Sequence, residues 1–144
     1  MNSVLKNDFN RLMLDRDKVQ EQIAALEPGN GHRAGGPRHS DLTPLASRMV
    51  HLDFDLRTML LDCAILGRHY WKSHNMPLIN SLHSSLAIMH NLLHNLSRIQ
   101  PTLKQASVEP ATLRRLSRDW VRFKKSVSDM QISLQHFNMR RKMT

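Results

Sequence analysis

Apolar residues recur along this chain in alternating steps of three and four, in four separate runs. The first comprises Leu5, Phe9, Leu12, Val19, Ile23 and Leu26, with Arg16 standing in the row. The second is Leu45, Met49, Leu52, Leu56, Met59, Cys63, Leu66 and Tyr70. The third is Ile79, Leu82, Leu86, Met89, Leu93, Leu96, Gln100 and Leu103, and the fourth Leu113, Leu116, Trp120, Phe123, Val127, Met130, Leu134 and Phe137. Steps averaging about 3.5 residues hold side chains on one seam of a helix, and such seams pack on each other as knobs into holes. The alternating apolar and polar runs of strands are absent. The pattern predicts an all-α fold, a bundle of three to four long antiparallel helices with coiled-coil-like heptad seams.

Punctuation residues set the expected boundaries. Asn2 or Ser3 caps the first helix, Asp8 lies near its positive end, and Pro28 and Gly29 stop it after Glu27. Thr43 and Pro44 open the second helix, expected to reach about Ser73. The stretch from His74 to Pro77 breaks the chain, and a break this short turns the third helix antiparallel to the second. Pro101 ends the third helix after Gln100. Ser107 is the expected cap of the fourth, with Glu109 and Pro110 in its first turn, and that helix is expected to run to about Asn138. Second apolar sets widen two faces: Val50, Phe54, Leu61 and Ile65 on the second helix, and Ile88, Leu92 and Ile99 on the third. These sets are expected to widen the buried face, and a helix apolar on more than one flank to sit centrally, touching two neighbours.

Residues 28–43 form a flexible Gly/Pro-rich linker that holds four of the five glycines of the chain. It carries no Gly-Lys-Ser/Thr and follows no strand, so it is not read as a phosphate-cradling loop. The domain reading is an N-terminal helix over 1–27, the linker, and a helical bundle over 44–144 with a basic C-terminal helix and tail. The first helix is tethered loosely enough to pack on its own chain or on another.

Composition sharpens this picture in three ways. The 144 residues suit one domain, and aromatics at 5% leave Leu, Ile and nine Met to fill an adaptable interior. Cys63 stands alone on the second seam and is read as a small buried residue, so a disulfide-linked secreted scaffold is not expected. The N-terminal stretch is interrupted by Lys6, Asp8 and Arg11, unlike a signal peptide, and no apolar run approaches the ~18 residues of a membrane span. The expected location is cytoplasmic or nuclear.

Charge carries the clearest functional signal. The net charge is +9, and from Glu109 to Thr144 nine Lys/Arg stand against three acidic residues, a net of +6. Arg114, Arg118, Arg122 and Lys125 step along one side of the fourth helix, flanked by Arg115 and Lys124 and followed by Arg140, Arg141 and Lys142. Such a face suits nucleic acid or another acidic surface. Residues 1–27, with four bases and five acids, suit the basic helix as a neighbour or dimer contact.

Catalytic constellations are not evident. His83, His90 and His94 share a flank, but Asn91 stands where a zinc protease needs glutamate, and no Cys, Asp or Glu lies between Ile79 and Arg98. No metal or cofactor is expected; a histidine charge switch near pH 6 stays open. Asp53 and Arg57 read as an ordinary surface pair, no Gly-x-Ser-x-Gly occurs, and no carboxylate spacing suggests a pair held in a cleft. The expectation is a non-enzymatic structural or adaptor subunit, open to homo-oligomerisation, that assembles through its seams. Leu12, Val19, Ile23, Leu56, Met59, Leu86, Leu93, Trp120, Phe123 and Met130 are the contact residues on that reading. The alternative is a basic helical nucleic-acid-binding protein using residues 109–142.

Overall fold

A computed structural model describes residues 2–26, 42–70, 76–98 and 108–143, with side chains over 4–26, 42–65, 76–97 and 108–135. The chain is an all-α bundle of α1 (Asn2–Leu26), α2 (Thr43–Tyr70), α3 (Met76–Arg98) and α4 (Pro110–Met143). Most of the 28–43 linker and the expected cap Ser107 lie outside the described residues. No helix among them is long and apolar enough to cross a membrane.

The helices close in a ring. α1 packs on α2, α2 on α3, α3 on α4, and α4 more lightly on α1. Neighbours run antiparallel. Asp8 of α1 meets Asp62 of α2 while Asp15 meets Asp55, so the numbering rises on one helix as it falls on the other. Likewise Asn95 of α3 donates to Asp119 of α4 while Ser85 bonds Ser126. For α2 and α3 the chain itself decides. The 28 residues of α2 span about 42 Å. The six peptide steps from Tyr70 to Met76 reach at most roughly 22 Å, too short to return to the start of α2 for a parallel pairing.

Among the described residues, the seams of α1, α2 and α4 turn inward. Leu5, Leu12, Val19, Ile23, Leu45, Met49, Leu52, Leu56, Met59, Cys63, Trp120, Phe123, Val127 and Met130 are essentially inaccessible. They form a single core, on which Trp120 and Phe123 stack with ring centroids 5.1 Å apart. A fully buried side chain of this size gains about 1.5–3 kcal/mol over exposure, so the seams are the main source of stability. Methionines Met49, Met59, Met89 and Met130 fill gaps between the leucines. Arg16, in the middle of the α1 seam, is half-buried along its stem and pairs at 2.9 Å with exposed Asp17.

Several expectations need correction. Val50, Phe54, Leu61 and Ile65 are 50–65% exposed rather than buried. In a ring of four, every helix has the core on one side only, and this row lies on the opposite side of α2 from Leu45, Leu52 and Leu56. The α3 face is also turned by about one residue. Leu78, Leu82, Ser85, Met89, Leu92 and Leu96 are buried, while Ile79, Leu86 and Leu93 form one half-buried shoulder and Ile88 the other. α3 touches both α2 and α4, so the middle of its wide apolar face, and not one heptad row, points at the core. Pro110 opens α4, where the Glu109 carbonyl accepts from Thr112 and Leu113 at 3.0 and 3.2 Å. α4 then continues past Asn138 to Met143, because no Gly or Pro interrupts it and basic residues favour a helix C-terminus.

The two sides of α2 give a direct test within one turn of helix. Leu56→Asp places an unpaired charge in the core and is expected to cost several kcal/mol, lowering the thermal midpoint by ten degrees or more. Phe54→Asp, on the outward side, is expected to change the midpoint little. Circular-dichroism melts of both variants check this, and equal losses would contradict the assignment of faces.

Candidate interaction surface and buried carboxyl pairs

Closing the ring uses up the seams. Leu12, Val19, Ile23, Leu56, Met59, Trp120, Phe123 and Met130 are no more than 2% exposed, and Leu86 and Leu93 are half-buried against the same core. All ten therefore meet residues of their own chain. What stays outside is the row Val50, Phe54, Leu61 and Ile65 along α2. At roughly 100° per residue their spacings of four, seven and four keep them within about 60° of one another, over a length of about 22 Å. Other exposed large apolar residues, Val4, Leu14, Met76, Val121 and Ile132, are scattered over α1, α3 and α4. The row is bordered by the ion pair of Arg57 with Asp53 at 2.8 Å, the surface pair the sequence suggests.

α4 presents the basic residues as expected. Arg114, Arg115, Arg118, Arg122 and Lys125 are exposed and Lys124 is half-buried. Arg122 lies 3.5 Å from Asp119, whose other carboxyl oxygen accepts from Asn95 at 3.2 Å. Val121 and Ile132 sit among them, so the outer face of α4 mixes cation and hydrocarbon. Arg140, Arg141 and Lys142 belong to the last turns of α4, and their side chains lie outside the described set.

His83, His90 and His94 are all exposed on α3, and the rings of His90 and His94 stack with centroids 6.5 Å apart. Among the described residues no group of three or more His, Cys, Asp or Glu side chains is placed to hold a metal ion.

The interior holds a feature that linear spacing did not suggest. Two pairs of carboxyl groups bridge α1 and α2: Asp8 with Asp62, and Asp15 with Asp55, each within hydrogen-bonding reach. Asp8 and Asp55 are 7% and 5% exposed, while Asp62 and Asp15 are half-buried. Burial pushes the Asp8 carboxyl up to about 7, reinforced by the hydrogen bond and charge of Asp62 and opposed by Arg11. Burial raises Asp55 to about 7 as well, reinforced by Asp15 and Asp8 and again opposed by Arg11. One oxygen of each, Oδ2, is a buried acceptor that meets no donor. Two carboxylates cannot bond each other unless one carries a proton, and a protonated carboxyl supplies the missing donor.

A signal for these pairs does exist in the chain. Asp8 and Asp15 are seven residues apart, as are Asp55 and Asp62, and each follows a core leucine or methionine by three. On two antiparallel helices, equal spacings of this kind bring both pairs level at once. The same register sets Arg48 across from Gln22, whose Oε1 is another buried acceptor without a partner. The buried hydroxyls of Ser85 and Ser126, 2.7 Å apart, do similar work between α3 and α4. Trp120 Nε1 donates to Gln20 at 2.7 Å, tying α4 to α1. No family model matches this sequence, and comparison with curated proteins and with solved structures finds no match.

Cys63 lies beside the first carboxyl pair. It is buried, and desolvation, followed by the charges of Asp62 and Asp8, pushes its thiol up to about 12. Reaction requires the thiolate. The native protein is therefore expected to resist a thiol reagent such as dithionitrobenzoate at neutral pH, reacting at least about a hundredfold faster in denaturant. Comparable rates in the two conditions would show that Cys63 is reachable from solvent.

Proposed function

We propose that this protein is a non-enzymatic structural or adaptor subunit that joins a larger protein complex, and that the contact is made by the outer face of α2. The observation that carries the reading is the solvent-facing row of Val50, Phe54, Leu61 and Ile65. Exposed apolar residues aligned on one side of a helix, unlike scattered leucines, mark a surface that gains by being covered. Its spacing and length fit a partner helix carrying an apolar stripe of its own. The core seams support this reading from within, as the scaffold on which α2 presents its outer face. The proposed location is the cytoplasm or nucleus.

A second reading is favoured by one specific observation, the exposed arginines and lysine of α4. On it, Arg114, Arg115, Arg118, Arg122, Lys124 and Lys125, with Arg140, Arg141 and Lys142 in the last turns, contact nucleic acid or another acidic surface. Each phosphate neutralised would make such binding more salt-dependent.

Two variants separate the readings. Phe54→Glu with Leu61→Glu breaks the α2 row, and Gln at Arg114, Arg118, Arg122 and Lys125 removes much of the basic face while keeping good helix formers. Both are expected to keep wild-type helicity. The adaptor reading predicts that nuclease-resistant protein partners captured by the wild type are lost from the α2 variant and kept by the α4 variant. Capture that survives the α2 changes, but is lost with nuclease or with the glutamines, would favour the second reading and overturn the first.

A further inference from the structure

We propose that docking of α1 on α2 is conditional on two bound protons, one shared within each carboxyl pair, so that α1 is held when the pairs are protonated and loosened when both members are charged. This inference is independent of the α2 outer row. It rests on placement. The two pairs occupy consecutive levels of the α1–α2 contact, seven residues apart on both helices, and beyond its apolar seam on α2 α1 has only a light contact with α4. Each pair contains one aspartate more than nine-tenths buried, with an oxygen that meets no donor. Ionising both members of a pair would set two like charges against each other in a dry contact, where water screens them little.

Among the described residues, the groups that act on the two buried carboxyls belong to the two helices they join. α1 contributes Asp8, Asp15 and the cation of Arg11, and α2 contributes Asp55, Asp62 and the neutral thiol of Cys63. Among the described residues, no charge of α3, packed on α2, or of α4, packed on α1, acts on either buried carboxyl. Arg11 favours the charged forms, but it is exposed and shared between two pairs.

The direction in pH follows from the raised folded values. Asp8 and Asp55 hold their protons to about 7 in the fold and near 3.8 without it. Their contribution is thus fully present below about pH 4, falls as pH rises, and is gone above about 7. The limit is about tenfold in the unfolding equilibrium per pH unit for each proton. Release of α1 would uncover Leu5, Phe9, Leu12, Val19 and Ile23, together with the face of α2 they cover. A small rise in pH around neutrality would then expose a second apolar surface.

Trp120 is a ready reporter, because its indole N–H is bonded to Gln20 of α1. In the full chain with Trp71→Phe, leaving Trp120 as the one tryptophan, emission and the urea midpoint are followed from about pH 5.5 to about pH 8. The expected result is a red shift of Trp120 emission and a falling midpoint as pH rises. Asp8→Asn with Asp55→Asn supplies a fixed donor in place of each shared proton. This variant should have a flatter profile and be more stable than the parent at pH 8. Arg11→Gln should move the transition to higher pH, since it removes the cation that favours ionisation. Histidine protonation acts on parent and variants alike, so the difference between profiles is the readout. Should the first amide pair fail to fold, Asp15→Asn with Asp62→Asn places the donor on the opposite helix. Parallel profiles for parent and variant, failure of both amide pairs to fold at any pH, or saturable stabilisation of the parent alone by magnesium or calcium at pH 8 would each overturn the proposal.

Discussion

Four helices, each apolar on one side, have to hide those sides together, and every other feature of this protein follows from how they do so. Propensity supplies little of the stability of helices in proteins and packing of an apolar face most of it. Here they are held by one core to which all four contribute. A ring of four leaves each helix a single inward direction. The geometry therefore divides the apolar residues into those that build the molecule and those left for something else. Val50, Phe54, Leu61 and Ile65 fall in the second group because of their angular position on α2, although they are as apolar as their buried neighbours.

Within that ring, apolar side chains alone would tolerate slippage, because leucine and methionine accept many partners. Polar groups placed between the helices are more demanding, and buried ones in particular can fix register. Ser85 with Ser126 and Asn95 with Asp119 align α3 with α4, and the indole of Trp120 reaches Gln20 across the lightest contact of the ring. Between α1 and α2 the same role falls to carboxyl pairs, which are aligned only as long as a proton is shared. One joint of the bundle thus differs in kind from the others, and it is the joint of the helix reached through the Gly-rich 28–43 segment.

The fold was legible because hydrophobic periodicity reports directly on helices, and because Pro44, Pro77 and Pro110 stand in the first turns of α2, α3 and α4. Thr43 and Pro44 do begin α2, and Cys63 is buried as its seam position implies. Depth was harder to read than helicity. A row of apolar residues carries the same signal whether a neighbour covers it or not, so Phe54 read as core; which side faces in depends on how many helices surround it. The turn of α3 was hidden for a related reason, since adjacent rows such as Leu92 and Leu93 are chemically equal and only contact with two neighbours chooses between them. The carboxyl pairs were missed because chemistry was sought in single segments, while Asp8 and Asp62 meet only through antiparallel pairing. Their seven-residue repeats were visible, but these acquire meaning only once the pairing of α1 with α2 is known. Arg114, Arg115, Arg118, Arg122 and Lys125 of α4 were the easiest to place, since a charged side chain avoids burial.

The central claim is that the seams close within one chain, leaving association to the outside of α2. Sedimentation velocity and far-ultraviolet circular dichroism over a dilution series, on the same samples, test it most directly. The prediction is that helicity stays constant as the chain is diluted, even where its mass falls to that of a single copy. Loss of helix in step with dissociation would contradict it, because the core would then be shared between chains.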